Sequence, residues 1–250
     1  MRRDPATAAG ATTLPLVASR DSNAVLSAYR KELRSHGPIV AAGIAAALLC
    51  NFWALEDLLA RRTDLSAAWI SDLAARSQPS GWRFQLLEVA AGAAIAAFAW
   101  LLLRRQGGRS PLLRWGLLAL LAAGVLAAIG GLAPLNCAEA LERSCDLSYD
   151  PFDLLHTGAN LLEVAALAAA FVLVGLGSGR RLSSIEGQTT TGDMRVAKAT
   201  LAIGALWLLL LALAGLGYLI GDLESVKGLF QRGSQLLLGA WLIVLAICSP

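Results

Sequence analysis

Histidine is nearly absent from this chain. Its 250 residues hold two, His36 and His156, and a catalytic zinc centre ordinarily needs three protein ligands, often histidines. A three-histidine site within one protomer is therefore excluded, and neither a metal nor a cofactor is expected. Lysine is almost as rare, with Lys31, Lys198 and Lys227 the whole set. No basic run is interleaved with aromatics, so nucleic acid is not an expected partner. No Gly-Xaa-Ser-Xaa-Gly elbow is present. Charged residues make up 16% of the chain, against roughly 25% in a soluble domain. Met1 to Arg20 lacks the continuous apolar run of a secretory signal.

Apolar residues are abundant. They make up 56% of the chain and gather in long Leu/Ala/Val runs. A membrane span needs about 20 mostly apolar residues, and six runs qualify, at about 37–57, 85–103, 113–135, 155–177, 198–220 and 234–250. Backbone groups in lipid must bond internally, so the spans are helices. The expected fold is an all-α, six-helix transmembrane bundle over 37–250. Residues 1–20 read as a disordered cytoplasmic tail. Residues 21–36 read as an amphipathic cytoplasmic or interfacial helix, or as an extension of the first span.

Orientation follows the bias of cations toward the cytoplasm. The tail and the links after spans two and four carry fourteen Lys and Arg, against seven on the other side. Both termini are thus expected in the cytoplasm of a bacterial cell, with the protein multi-pass in its plasma membrane. Trp53, Trp69, Trp82, Trp100 and Trp115 fall near span ends or in flanking loops, where indole prefers the interface. Trp207 and Trp241 lie deeper, as packing residues. Gly92, Gly124, Gly130, Gly131, Gly204 and Gly215 offer close helix approach. No internal repeat is evident, so nothing supports an inverted-repeat transporter.

Three loops are expected outside. In the first, Asp64 is a candidate cap for a short surface helix carrying Leu65, Trp69 and Leu73 on one face, with Asp72 to the side. Gln78-Pro79-Ser80-Gly81 then signals a turn. The second loop holds Cys137 and Cys145, eight positions apart, whose best reading is a local disulfide. Cys50 and Cys248 read as inert thiols within spans. The third loop, about 221–233, carries no signal.

Chemistry is hinted at only by polar residues within the spans, which are costly there and usually have a partner or a job. Asp153, His156, Asn160 and Glu163 form one helical stripe. Asn51 and Glu56 near the end of span one, and Glu88 in span two, fall at similar depth. The functional reading is a polar pocket opening outward, lined by Asn51, Glu88, Asp153, Asn160 and Glu163, with His156 as a general acid or base. The plainer alternative is a hydrogen-bonded knot that fixes helix register, with Asp153 a helix cap.

The segment Leu65-Ser66-Ala67-Ala68-Trp69-Ile70-Ser71-Asp72-Leu73-Ala74 adds a further cue. So does the stretch from Leu135-Asn136-Cys137 through Cys145 to Asp153-Leu154-Leu155-His156. With the six-span layout, they resemble the prokaryotic membrane family called domain of unknown function nine-nine-eight, over roughly residues 38–250. The resemblance implies a six-span architecture and places Ser71, Asp72 and His156 at the family's Ile-Ser-Asp/Glu-Leu-like and His positions. Ala133-Pro134-Leu135 stands where a Phe-Pro pair is usual. A more distant likeness is to ceramidase-type membrane hydrolases, which combine Ser, Asp and several His. That likeness implies Ser71, Asp72 and His156 as catalytic candidates, although most of the histidines are missing.

The leading expectation is an integral membrane protein of unknown function, without demonstrated activity, binding a lipid or envelope partner through the polar pocket. Membrane lipids are its expected partners, with a membrane protein or a second copy as further candidates. The first alternative is an intramembrane lipid hydrolase or transferase using Asp72 and His156. The second is a small-solute or proton-coupled transporter.

Overall fold

The computed structural model describes residues 36–56, 66–106, 108, 110–140, 142, 144–145, 150–179, 191–220 and 225–248. The expected tail at 1–20, the interfacial helix before His36, and Asp64 with Leu65 lie outside the described residues. Six helices carry the described fold: α1 (His36–Leu49), α2 (Gly81–Gln106), α3 (Pro111–Leu132), α4 (Pro151–Gly179), α5 (Thr191–Leu219) and α6 (Lys227–Cys248). The described residues include no strand. Two short 3-10 turns, Phe52–Leu55 and Ile70–Ala74, sit between α1 and α2.

Helices α2 to α6 are each long and apolar enough to cross a membrane. Their apolar surface is not confined to one stripe. Leu86, Leu132, Leu161 and Leu162 are all at least 60% exposed, a distribution suited to lipid rather than water. The chain is an α-helical membrane protein.

The helix starts follow local chemistry. Ser110 caps α3 by accepting from the Leu113 N–H at 3.4 Å, with Pro111 just inside, where its missing N–H costs nothing. Asp150 does the same for α4, accepting from the Phe152 N–H at 2.8 Å ahead of Pro151. Asp153 is thus not the cap of α4. It sits one turn inside and reaches another segment. The expected turn at 78–81 is present, with Gly81 N–H donating to the Gln78 carbonyl at 3.0 Å.

The first expected span differs from the run 37–57. Helix α1 has 14 residues within the described segment, roughly 21 Å at 1.5 Å per residue. It ends at Leu49, two residues before Asn51, whose backbone lies outside helical geometry (φ −105°, ψ 26°). The Asn51 amide turns back to donate to the Ala47 carbonyl at 2.9 Å, the competition with the backbone that makes Asn a poor helix interior. The sixth helix differs the other way. It begins at Lys227 rather than near 234 and draws two cations into the fold.

Helix neighbours follow chain order, with α2 on α3, α3 on α4, α4 on α5 and α5 on α6. Around Gly43, α1 meets both Ala246 of α6 and Phe98 of α2. Lipid supplies no hydrophobic force between helices, so close packing must hold them. The α2–α3 crossing shows this directly. A Cβ on Gly92 would sit 2.5 Å from the Gly124 carbonyl oxygen, and one on Gly124 would sit 2.5 Å from Ala96 N. Gly215, by contrast, faces open space. At the centre, the Phe171 ring lies 4.1 Å from Trp241 and 5.4 Å from Trp207, joining α4, α5 and α6.

Candidate functional site

A cavity of about 140 Å³ lies within the bundle, lined by α2 to α6 and by Cys50 just past the end of α1. Its polar lining is Ser71, Glu88, Asn160, Glu163, Gln231 and Gln235. Each reaches the cavity for a periodic reason. Asn160 and Glu163 are three apart on α4, and Gln231 and Gln235 are four apart on α6, so each pair shares a helix face. Ser71 comes from the 3-10 turn Ile70–Ala74, which the Gln231 side chain holds by accepting from Ile70 N–H at 2.8 Å.

Glu88 and Asn160 converge opposite Gly130. A Cβ there would lie 3.1 Å from Asn160 Oδ1 and 3.4 Å from Glu88 Oε1. The bare glycine leaves room for both acceptors. Glu163 lines the same cavity as Glu88. Glu88 Oε2 and the indole N–H of Trp207 are buried and find no hydrogen-bond partner among the described residues.

His156 stands beside this cavity rather than in its lining. Its Nδ1 lies 3.0 Å from the Gly130 carbonyl and 3.1 Å from that of Ala133. Both are acceptors, so Nδ1 carries the hydrogen. Nε2 then accepts from Asn160 Nδ2 at 2.8 Å. These carbonyls belong to the end of α3, where a helix leaves acceptors without intrahelical partners. The ring is 3% exposed, and both of its nitrogens are engaged.

Asp72 and Asp153 do parallel work on the segment after α3. Asp72 is fully buried, not to the side as its helical spacing suggested. Its carboxylate accepts from Trp69 N–H at 2.9 Å and from Glu139 N–H at 3.0 Å. Burial pushes its carboxyl up from the ordinary range, against the pull of those two N–H groups. Asp153 Oδ1 accepts from Asn136 N–H at 2.7 Å. In the same segment, Cys137 and Cys145 form a disulfide. Glu142 ties the same loop to Ser77 and Gln78 and accepts from Ala138 N–H at 3.3 Å. The Ser77 hydroxyl holds its carboxyl below the ordinary range.

The structure thus brings Ser71, Glu88, Asn160 and Glu163 together at one cavity. Asn51 lies at the end of α1 against Gly239 of α6, and Asp153 serves the loop. Asp72 and His156 are not hydrogen-bonded to each other. In place of the expected surface helix near 64–75, the described residues hold a five-residue 3-10 turn whose Ile70, Leu73 and Ala74 are buried.

Several residues escaped the sequence reading. Gln231, Gln235 and Trp207 line the cavity. Arg232 forms a buried ion pair with Glu56 at 3.0 Å and donates to the Ala68 carbonyl at 2.8 Å. Lys227 is buried, its ammonium 5.4 Å from the Trp69 ring centre. The Gln231–Gln235 spacing was a usable signal once α6 is begun at Lys227. Among the described residues no group of three or more His, Cys, Asp or Glu is placed to hold a metal ion.

Compared with known proteins, residues 39–248 match the model of a family described as protein of unknown function (DUF998). No curated protein and no solved structure matches the chain.

Proposed function

We propose that the chain, which belongs to the DUF998 family, binds the polar head group of a membrane lipid or of an envelope partner in its intramembrane cavity. One observation carries this reading. Six polar side chains from four elements, among them two carboxylates, meet in one cavity inside the helical bundle. Each is costly in a membrane, where polar groups are kept for a partner or a task. A concave site with a few convergent polar groups is the usual form of a small-ligand site.

The reading includes an orientation. Both termini face the cytoplasm of a bacterial plasma membrane, and the end with Trp69 and the disulfide faces outward. The cation bias supports this, and so does the disulfide, since such bonds persist in oxidising compartments.

The bonding of Asp72 and His156 argues against the hydrolase reading. A general base needs an available atom within reach of the proton it takes. The Asp72 oxygens hold two backbone N–H groups, and the His156 nitrogens are both hydrogen-bonded.

Native mass spectrometry of the purified full-length protein tests the head-group reading. The unaltered protein is expected to retain bound lipid, and replacing Glu88, Asn160 and Glu163 together by Ala is expected to strip it. Equal lipid retention by the triple variant would overturn the reading.

A further inference from the structure

The cavity's lining has a chemical bias. It holds two carboxylates, Glu88 and Glu163, and none of its lining residues is Lys, Arg or His. Two carboxylates in a cavity walled by apolar residues need a counter-charge or a shared proton. A monocation neutralises what one shared proton leaves.

The acceptors can be counted. Asn160 gives its amide N–H to His156, so its Oδ1 remains as an acceptor and faces the same point as Glu88 Oε1. Glu88, Glu163 and Asn160 thus present three acceptor groups from α2 and α4. A primary ammonium carries three donors and no acceptor, which matches that set. A quaternary ammonium carries none.

Donors stand elsewhere in the lining. Gln231 uses its carbonyl oxygen on Ile70 N–H, so its amide N–H groups remain. Trp207 is 2% exposed, and its buried indole N–H has no partner among the described residues. An indole N–H can only donate. It calls for an oxygen on the ligand.

We propose that the cavity takes an aminoethoxy group, a primary ammonium with a neighbouring oxygen. Glu88, Glu163 and Asn160 receive the ammonium, and Trp207 and Gln231 receive the oxygen. The inference rests on the head-group reading above and narrows it to one chemistry. Two sources carry that chemistry, free ethanolamine and the head group of phosphatidylethanolamine.

The test uses the full-length protein in nanodiscs. Lipid retention is compared among discs containing phosphatidylethanolamine, phosphatidylcholine or phosphatidylglycerol. In a second arm, free ethanolamine, N-methylethanolamine and choline are titrated into phosphatidylcholine discs, with tryptophan fluorescence as the readout. Phosphatidylethanolamine retained at least about tenfold over phosphatidylcholine supports the proposal and assigns a lipid. Saturation by free ethanolamine, with choline at least about tenfold weaker, supports it and assigns a free amine. Each preference corresponds to about 1.4 kcal/mol or more. Glu88→Gln and Glu163→Gln should each remove the preference. The ligand series on the unaltered protein decides the matter even where a variant does not fold. Lipid retained without regard to the amine overturns the aminoethoxy group and leaves the head-group reading standing. No retained lipid and no response to ethanolamine overturns both.

Discussion

Asn160 Nδ2 donates to His156 Nε2 at 2.8 Å, one turn back along α4. That single bond joins the cavity to the end of α3. On its other side the ring gathers the Gly130 and Ala133 carbonyls. The histidine therefore fixes α4 against α3 and, through Asn160, sets the direction of an acceptor in the cavity. In His156→Ala, two carbonyls lose their shared donor. A buried acceptor left without its bond costs about 1–3 kcal/mol. Thermal unfolding in detergent is expected to show a loss of that order. His156→Gln, which retains an N–H donor, should recover part of it. An unchanged melting temperature in His156→Ala would contradict the assignment.

Glu56 and Arg232 form the second prediction. The pair is 3.0 Å apart, and both side chains are almost wholly buried. Breaking a buried pair from one side leaves an uncompensated charge and typically costs 3–5 kcal/mol. Arg232 also holds the Ala68 carbonyl at 2.8 Å and the Gly228 carbonyl at 3.2 Å, so its loss releases the 3-10 segment as well. Arg232→Met is expected to destabilise by about 3–5 kcal/mol. Combining it with Glu56→Met should return a large share, since well-packed apolar residues often replace such pairs at little cost. A double variant as unstable as the sum of the singles would show that the pair is not the coupled unit.

Much of this architecture is legible in the residues, for a physical reason. Lipid demands long apolar helices, so α2 to α6 announce themselves, and the stripe through His156, Asn160 and Glu163 follows from helical period alone. What was not legible lies where polar groups interrupt apolar runs. Asn51 sits inside a run hydrophobic enough to span, and the end of α1 there shows in its backbone angles and its side-chain bond to Ala47. Lys227 and Arg232 look like loop cations until Trp69 and Glu56 are seen to receive them. Asp72 reads as a surface or catalytic carboxylate because one of the two N–H groups that hold it, on Glu139, is 67 residues away in the chain. Long-range pairing of this kind leaves no local periodicity.

The disulfide carries the third prediction. Cys137 and Cys145 close a short loop, eight positions apart, and constraining a loop of that size in the unfolded chain contributes about 2–3 kcal/mol. Asp72 and Asp153 grip the start of the same loop through Glu139 and Asn136, which flank Cys137. Loss of the bond should therefore loosen the loop without unthreading the helices. Cys137→Ser with Cys145→Ser is expected to lower the melting temperature and leave helical circular dichroism at its original strength. A reductant should reproduce the effect in the unaltered protein and have none on the double variant. Equal melting with and without reductant would contradict it.

The carboxylates around that loop predict opposite pH dependences. Burial holds Asp72 above its ordinary value in the fold. Its stabilising contribution is therefore fully present below the unfolded-state value and is lost as pH rises through the folded one. Glu142 is held below its ordinary value, first by the Ser77 hydroxyl. Its contribution is present above the unfolded-state value and is lost as pH falls through the folded one. Melting temperatures of Glu142→Gln, Asp72→Asn and the unaltered protein, measured from about pH 3 to pH 7 across the carboxylate range, separate the two. The advantage of the unaltered protein over Glu142→Gln should be largest at neutral pH and shrink toward zero in acid. Against Asp72→Asn, the balance should shift away from the unaltered protein as pH rises. Glu142 is partly exposed to solvent, so its effect is small and should weaken further in high salt. A Glu142→Gln difference that grows toward acid pH would reverse the sign derived from the Ser77 contact and refute it.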